Sequence, residues 1–210
     1  KLLNSKMGSL DRIYWLLEDT KRYGTLPFAG LARAGFISIQ MLKSLVSIGV
    51  FSQSDYDAFL AGISTVSGKL AYDRSSLNKE DFLLRYGHLR PGTYDILSPR
   101  YDKSPELYFD WEKQVAQSGE SPSSFSVTLP QMREVTKLLE SHKLDPTPVG
   151  LFDFMESGIE LREYAKFEFS RNLSDILELI ADFGEIHGIC REDLAYSDIN
   201  VFKELYISSS

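Results

Sequence analysis

The chain has 210 residues, 43% of them hydrophobic, enough apolar side chain to bury a sizeable core. A formal charge of −7 argues against a general nucleic-acid or anionic-membrane surface, which needs clustered Lys and Arg, so any anion site must be local. Cys190 is the single cysteine, which excludes an intramolecular disulfide, a two-cysteine zinc site and a redox pair, and points to a reducing, cytoplasmic setting.

The start, "KLLNSK", has no signal-peptide architecture and no initiating Met, and "ISSS" closes without a terminating element, so the chain reads as a piece of a longer polypeptide. Leu10, Ile13, Tyr14 and Leu17 recur at helical spacing after Ser9, predicting a first helix over about 9–23 that Gly24 ends. A second is expected from about Phe28 to Ile48, closed by Gly49. Its early Ala29, Gly30, Ala32, Ala34 and Gly35 leave room for the close approach of another backbone. "FISIQMLKSLVSIGVF" within it is broken by Gln40 and Lys43, short of the roughly 20 apolar residues that a bilayer demands.

Tyr56, Phe59, Leu60, Ile63, Val66 and Leu70 form one stripe after the cap candidates Ser52 and Ser54, predicting a third helix that also takes in "GISTVSGK". Asn78 opens a short helix that runs through Tyr86 and stops at Gly87. Next comes "RYGHLRPGTYDILSPRYDKSP", where Pro91, Gly92 and Pro99 disfavour regular structure and predict a loop over about 87–105.

"DWEKQVAQ" suits a short helix, and "SGESPSSF" a surface connection with a candidate internal boundary at 117–127. Thr128 and Gln131 form a capping box with Pro130 in the first turn, predicting a helix of about 12 residues that "DPTPVG" ends. A large helix over about 158–187 and a short one over 199–205 complete a mainly α fold, read as an irregular helical bundle in a single module over 1–210. No strand pattern, repeat or low-complexity tract is found.

On the large helix, Phe169, Leu173, Ile176, Leu177, Ile180, Phe183 and His187 share one face, while Glu168, Arg171, Asp175, Glu178, Asp182 and Glu185 lie opposite. Projected backwards, the apolar face takes in Arg162 and Lys166 one turn apart. Burying either without a partner would cost several kcal/mol. A carboxylate such as Asp95 or Asp102, or a bound phosphoryl group, would satisfy them, and so would simple snorkelling to solvent.

The loop has the same two readings. His88, Arg90 and Arg100 suit an anion with Tyr94 lining the site and Asp95 orienting an arginine, or else Pro91, Gly92 and Tyr94 make a tight turn in which Asp95 bonds nearby backbone. His142 and His187 lack a second ligand at metal spacing, which makes His187 a packed or capping residue. Gly62, Gly68 and Lys69 lack the spacing of a phosphate-binding loop. Glu160 and Glu163 fall off the apolar stripe, and neither Cys190 nor any Ser sits in a nucleophile motif.

Three stretches, "YGTLPFAGLARAGF", "YGHLRPGTYDILSPRY" and "LREYAKFEFSRNLSDILELIADFG", together resemble in this order the central region of phosphoenolpyruvate-synthase-like and rifampicin-phosphotransferase-like enzymes. The second is similar to their Gly-His-Arg-Gly segment and the Pro-Arg-aromatic step after it, departing at Leu89 and Arg90, where Arg and Gly are commoner. The resemblance implies a helical acceptor-binding or linker module of an ATP-dependent phosphotransferase that works through a phosphohistidine on a separate domain. His88, Arg90, Tyr94, Asp95, Arg100, Arg162, Glu163 and Lys166 are its implied substrate-binding positions. ATP and Mg belong by the same implication to the parent enzyme, whose ATP-grasp and phosphohistidine domains would be this module's partners beside a small-molecule acceptor. The chain itself has no ATP-grasp nucleotide site and no Gly-Gly segment ending in a phosphorylatable His, so alone it is not expected to complete a phosphotransfer. The reading from a different class is a non-catalytic helical scaffold or protein-interaction domain.

Overall fold

The structure is a computed structural model that describes residue 3 and residues 6–111 and 125–209. Apart from their end residues, the helix expected in "DWEKQVAQ" and the boundary expected at 117–127 lie outside the described residues. The fold is helical, with no strand among the described residues, and an irregular loop runs from Gly87 to a short 3-10 turn at Pro105–Leu107.

The described residues fall into two compact units. One draws on Lys1–Pro27, Tyr72–Val115 and Lys166–Ser210, and carries the loop. The other draws on Phe28–Ala71 and Ala116–Ala165.

In the loop-bearing unit, α1 (Ser9–Asp19) starts not at a Ser9 cap but at Gly8, whose N–H donates to Asp11 Oδ2 at 3.1 Å. Gly24 does not end this helix as expected. The backbone passes through a π-helical segment, Thr20–Thr25, straight into α2 (Leu26–Ser47). Gly24 lies within this segment, and a Cβ there would sit 2.7 Å from Phe169 Cβ, so the backbone can pass that side chain only with glycine at this position.

The unit also holds α4 (Val66–Ser76) from Tyr72 onward, α5 (Lys79–Tyr86), α8 (Arg191–Leu194) and α9 (Ile199–Ser209). Asn78 caps α5 as predicted, its Oδ1 accepting from Asp81 N at 2.9 Å. Ile13, Leu16, Ile96, Ile176, Ile180, Leu194 and Phe202 form the core. Ile96 reaches it from the loop, which therefore contributes a core side chain as well as polar ones.

In the other unit, α2 and α3 (Gln53–Gly62), α6 (Leu129–Ser141) and the first part of α7 (Pro148–Ile186) enclose Leu42, Phe51, Phe59, Val135, Leu139, Phe152 and Met155. The small residues of α2 do allow a close crossing. A Cβ on Gly158 would meet Ser38 Oγ at 2.5 Å, and one on Gly35 would lie 3.0 Å from the Gly158 carbonyl. The capping box of α6 forms as predicted, with Thr128 N donating to Gln131 Oε1 at 2.9 Å. Gln131 Nε2 then donates to Asp55 Oδ2, which caps α3 by accepting from Ser52 N, so two helix starts share one hydrogen-bond network.

The single helix expected through Tyr56 and Leu70 is two. Ile63 leaves helical geometry with ψ 131, and Thr65 Oγ1 accepts from Gly68 N to begin α4. The local Thr cap and Gly62 override an apolar period that runs on without a break. The large helix also begins at Pro148, ten residues before the expected 158. Pro148 is pre-set for a first helical position, which makes it a start signal rather than part of the terminator that "DPTPVG" suggests.

Candidate functional site

The loop leaves α5 through Gly87, and its two ends pair briefly: Tyr101 N donates to Leu89 O at 2.9 Å and Asp102 N to Gly87 O at 3.0 Å. This pairing presents His88 and Arg90 to the part of α7 that belongs to the same unit.

Arg90 is buried, its side chain 1% exposed. Nη2 donates to Glu178 Oε1 at 2.8 Å and to Ser174 Oγ at 3.0 Å, and Nη1 donates to the carbonyls of Ser98 and Asp95 at 3.1 and 3.2 Å. One guanidinium thus ties both sides of the loop tip to α7. Arg100 forms a fork on Asp102, Nε to Oδ1 at 3.0 Å and Nη2 to Oδ2 at 2.7 Å, and reaches Asp175 Oδ1 through Nη1 at 2.6 Å. Arg191 completes the group, donating to Glu178 Oε2 at 2.9 Å and to the Ile96 carbonyl at 3.3 Å.

Burial raises and the two guanidiniums lower the Glu178 pKa, and the net shift is downward, so the carboxylate is charged. Burial pushes Arg90 down while Glu178 holds it up, and the net direction is downward. Burial also acts against the charge on Arg100, yet Asp102 and Asp175 outweigh it and raise the net value.

His88 is 2% exposed and stacks edge-on against Phe167, with Nε2 3.3 Å from the Phe167 carbonyl. That contact places the ring proton on Nε2 and leaves Nδ1 buried, with no hydrogen-bond partner among the described residues. Burial, then the charge of Arg171, pushes the imidazole down to about 4, so the ring is neutral near neutral pH.

The Asp95 carboxylate does not orient an arginine. Its Oδ1 accepts from Leu97 N at 2.9 Å, an Asx turn, while Arg90 uses the Asp95 backbone carbonyl instead. Tyr94 is exposed. Lys166 is exposed at the start of this unit's share of α7. Arg162 and Glu163 belong to the other unit. There Arg162 is half-buried, 4.0 Å from Glu163 and 5.7 Å over the Phe36 ring. Neither Arg162 nor Lys166 is therefore a buried charge demanding a partner.

The acceptors are not apparent from residue spacing. Asp175 and Glu178 do lie opposite the apolar stripe, where solvent seemed their natural partner, yet both are half-buried beneath the loop arginines. Two carboxylates one turn apart, beside a stripe that a cationic loop could cover, were the available signal. Also unforeseen was Asp73, which is buried and accepts from Tyr86 Oη at 2.7 Å and from Arg85 Nη1 at 2.8 Å. His187 is exposed, and its Nδ1 lies 2.7 Å from the Phe183 carbonyl at the end of α7, the capping role foreseen for it.

Among the described residues, no cluster of His, Cys, Asp and Glu is placed to hold a metal, and no helix is long and apolar enough to cross a membrane. No protein-family model, curated protein or solved structure matches the chain.

Proposed function

We propose that the chain is a non-catalytic helical scaffold or linker module, in which the 87–105 loop serves as an internal clasp. The observation that carries this reading is the occupation of the loop's cations. Arg90, Arg100 and Arg191 are held at 2.6–2.9 Å by Glu178, Asp175 and Asp102, and an incoming anion would have to displace carboxylates that are already hydrogen-bonded. In the terms of the resemblance this is the linker role, a spacer between the ATP-grasp and phosphohistidine domains of a phosphoenolpyruvate-synthase-like phosphotransferase. ATP and Mg would act on those domains.

The test is an amide NMR titration of the chain with phosphoenolpyruvate and with inorganic phosphate. The clasp reading expects His88 to Asp102 to stay unshifted at millimolar ligand. Saturable shifts confined to the loop would replace it with the acceptor-binding reading.

One observation favours that second reading in the other unit. Beside its place over the Phe36 ring, Arg162 has a long 4.0 Å contact to Glu163 and keeps about a third of its side chain exposed, so its guanidinium is open to an anion. Changing Arg162 to Ala in the parent polypeptide would then depress turnover while leaving folding intact. Unchanged turnover in a folded variant sinks that role.

A further inference from the structure

Of the residues singled out in the loop, Tyr94 and Asp95 take no side-chain part in the arginine clasp, and both line one groove of about 200 Å³ in the loop-bearing unit. Its floor is Leu177, Ile180, Leu194 and Phe202, of which all but Leu177 are buried core residues, so an apolar floor lies beneath a partly polar rim. Among the described residues, no Lys, Arg or His lines it. Its charged group is the Asp95 carboxylate, whose Oδ1 takes the Leu97 N–H and whose Oδ2 has no partner among the described residues. Tyr94, 67% exposed, adds a phenol ring beside it.

We propose that this groove binds a small organic ammonium compound, an aryl or alkyl primary amine whose hydrocarbon end lies on Ile180, Leu194 and Phe202 and whose ammonium group donates to Asp95. Size and charge both select this class. The groove, of about 200 Å³ and open to solvent on one side, has room for a ring with a short arm laid on its floor. Arg90 and Arg191 reach the backbone carbonyls of Asp95 and Ile96 but are both held by Glu178, and the charge that the lining itself presents is the Asp95 carboxylate, which favours an ammonium, as does the Tyr94 ring. Phosphorylated molecules are therefore the wrong class for this groove, although the loop's composition suggests them. The inference goes beyond the scaffold reading and does not depend on it, since the clasp can hold whether or not the groove is filled.

The test is an amide NMR titration of the chain with 2-phenylethylamine, 2-phenylethanol and 3-phenylpropionate, which share a ring and differ in charge. The amine is expected to shift Asp95 to Leu97 and residues 194–202 saturably at millimolar concentration. The alcohol is expected to bind about tenfold more weakly and the acid not at all. Asp95→Asn keeps an acceptor for Leu97 N–H and hence the turn, and should bring the amine down to the alcohol's affinity. Ala195→Trp, at an exposed position on the groove wall, should abolish both. Equal affinity for amine and alcohol, shifts that survive Ala195→Trp, or no saturable shift with the amine would each overturn the proposal.

Discussion

Arg90 and Glu178, 88 residues apart in the chain, form a 2.8 Å ion pair in which the arginine side chain is 1% exposed. With Ser174 and two loop carbonyls on the same guanidinium, this pair is the main polar attachment of the loop to α7. Because Glu178 also holds Arg191, changing Arg90 to Met leaves the carboxylate one cation but strands the Ser98 carbonyl and leaves Asp95 O only the 3.3 Å bond from Ser98 N. The expected loss is about 3 kcal/mol in the urea unfolding free energy, within the range for breaking one side of a buried pair. Arg90→Lys should recover little of it, since one ammonium cannot span the five acceptors that the guanidinium reaches. A loss under about 1 kcal/mol for Arg90→Met would mean that Ile96 and its core contacts hold the loop without the arginine.

Three glycines on the long helices should respond to alanine in different ways, because their surroundings differ. At Gly24 the new methyl meets Phe169 Cβ at 2.7 Å, and at Gly158 it meets Ser38 Oγ at 2.5 Å, so each is expected to lose about 1–3 kcal/mol. Gly30, in the interior of α2, has open space around it, and alanine there should stabilise by roughly 0.5–1 kcal/mol. Thermal unfolding of the three variants checks the order. A neutral Gly24→Ala would show that the passage past Phe169 does not require a glycine.

The features legible in the sequence are those that a few neighbouring residues determine. Asn78 before α5, Thr128 with Gln131 before α6 and the apolar face of α7 are local patterns, and the structure contains all three. The break between α3 and α4 was hidden because the apolar spacing from Tyr56 continues to Leu70, although Val66 and Leu70 lie outside the cluster that holds Phe59 and Ile63. The role of Gly24 was hidden for another reason, since the side chain that leaves no room for a Cβ there, Phe169, is about 145 residues away. The candidate site was half legible. Its cations stood out, but the α7 carboxylates that hold Arg90 and Arg100 lie 88 and 75 residues further on, and spacing alone assigns them to solvent.

Acid should weaken the fold through His88. Its pKa is about 4 in the folded chain and ordinary, about 6.5, in the unfolded one, so between these values the unfolded chain takes up a proton that the folded chain does not. The contribution of the neutral ring is complete above about pH 6.5 and is lost as the pH falls towards 4, by up to about 3 kcal/mol. Glu178, held low by Arg191 and Arg90 against its burial, adds a further loss in acid, so the wild type alone cannot assign the effect. Changing His88 to Gln isolates it. Over this pH range the variant's stability should fall less steeply than the wild type's, and parallel slopes would refute the assignment.

Alkali should act through Tyr86, which is buried and donates to Asp73 at 2.7 Å. Burial, reinforced by the Asp73 hydrogen bond, raises its pKa to about 12, against about 10 in the unfolded chain. The folded state keeps the phenol proton while the unfolded chain gives it up, so the contribution is full below about pH 10 and is lost as the pH rises towards 12. Tyr86→Phe removes that dependence. It also takes one donor from a buried carboxylate, which keeps Arg85 at 2.8 Å, so a loss of about 1–2 kcal/mol is expected at neutral pH. Urea unfolding of both proteins from neutral pH to 12 checks the two effects together. The curves should converge as the pH rises, and curves that stay parallel would show that the Tyr86 hydroxyl does not depend on its bond to Asp73.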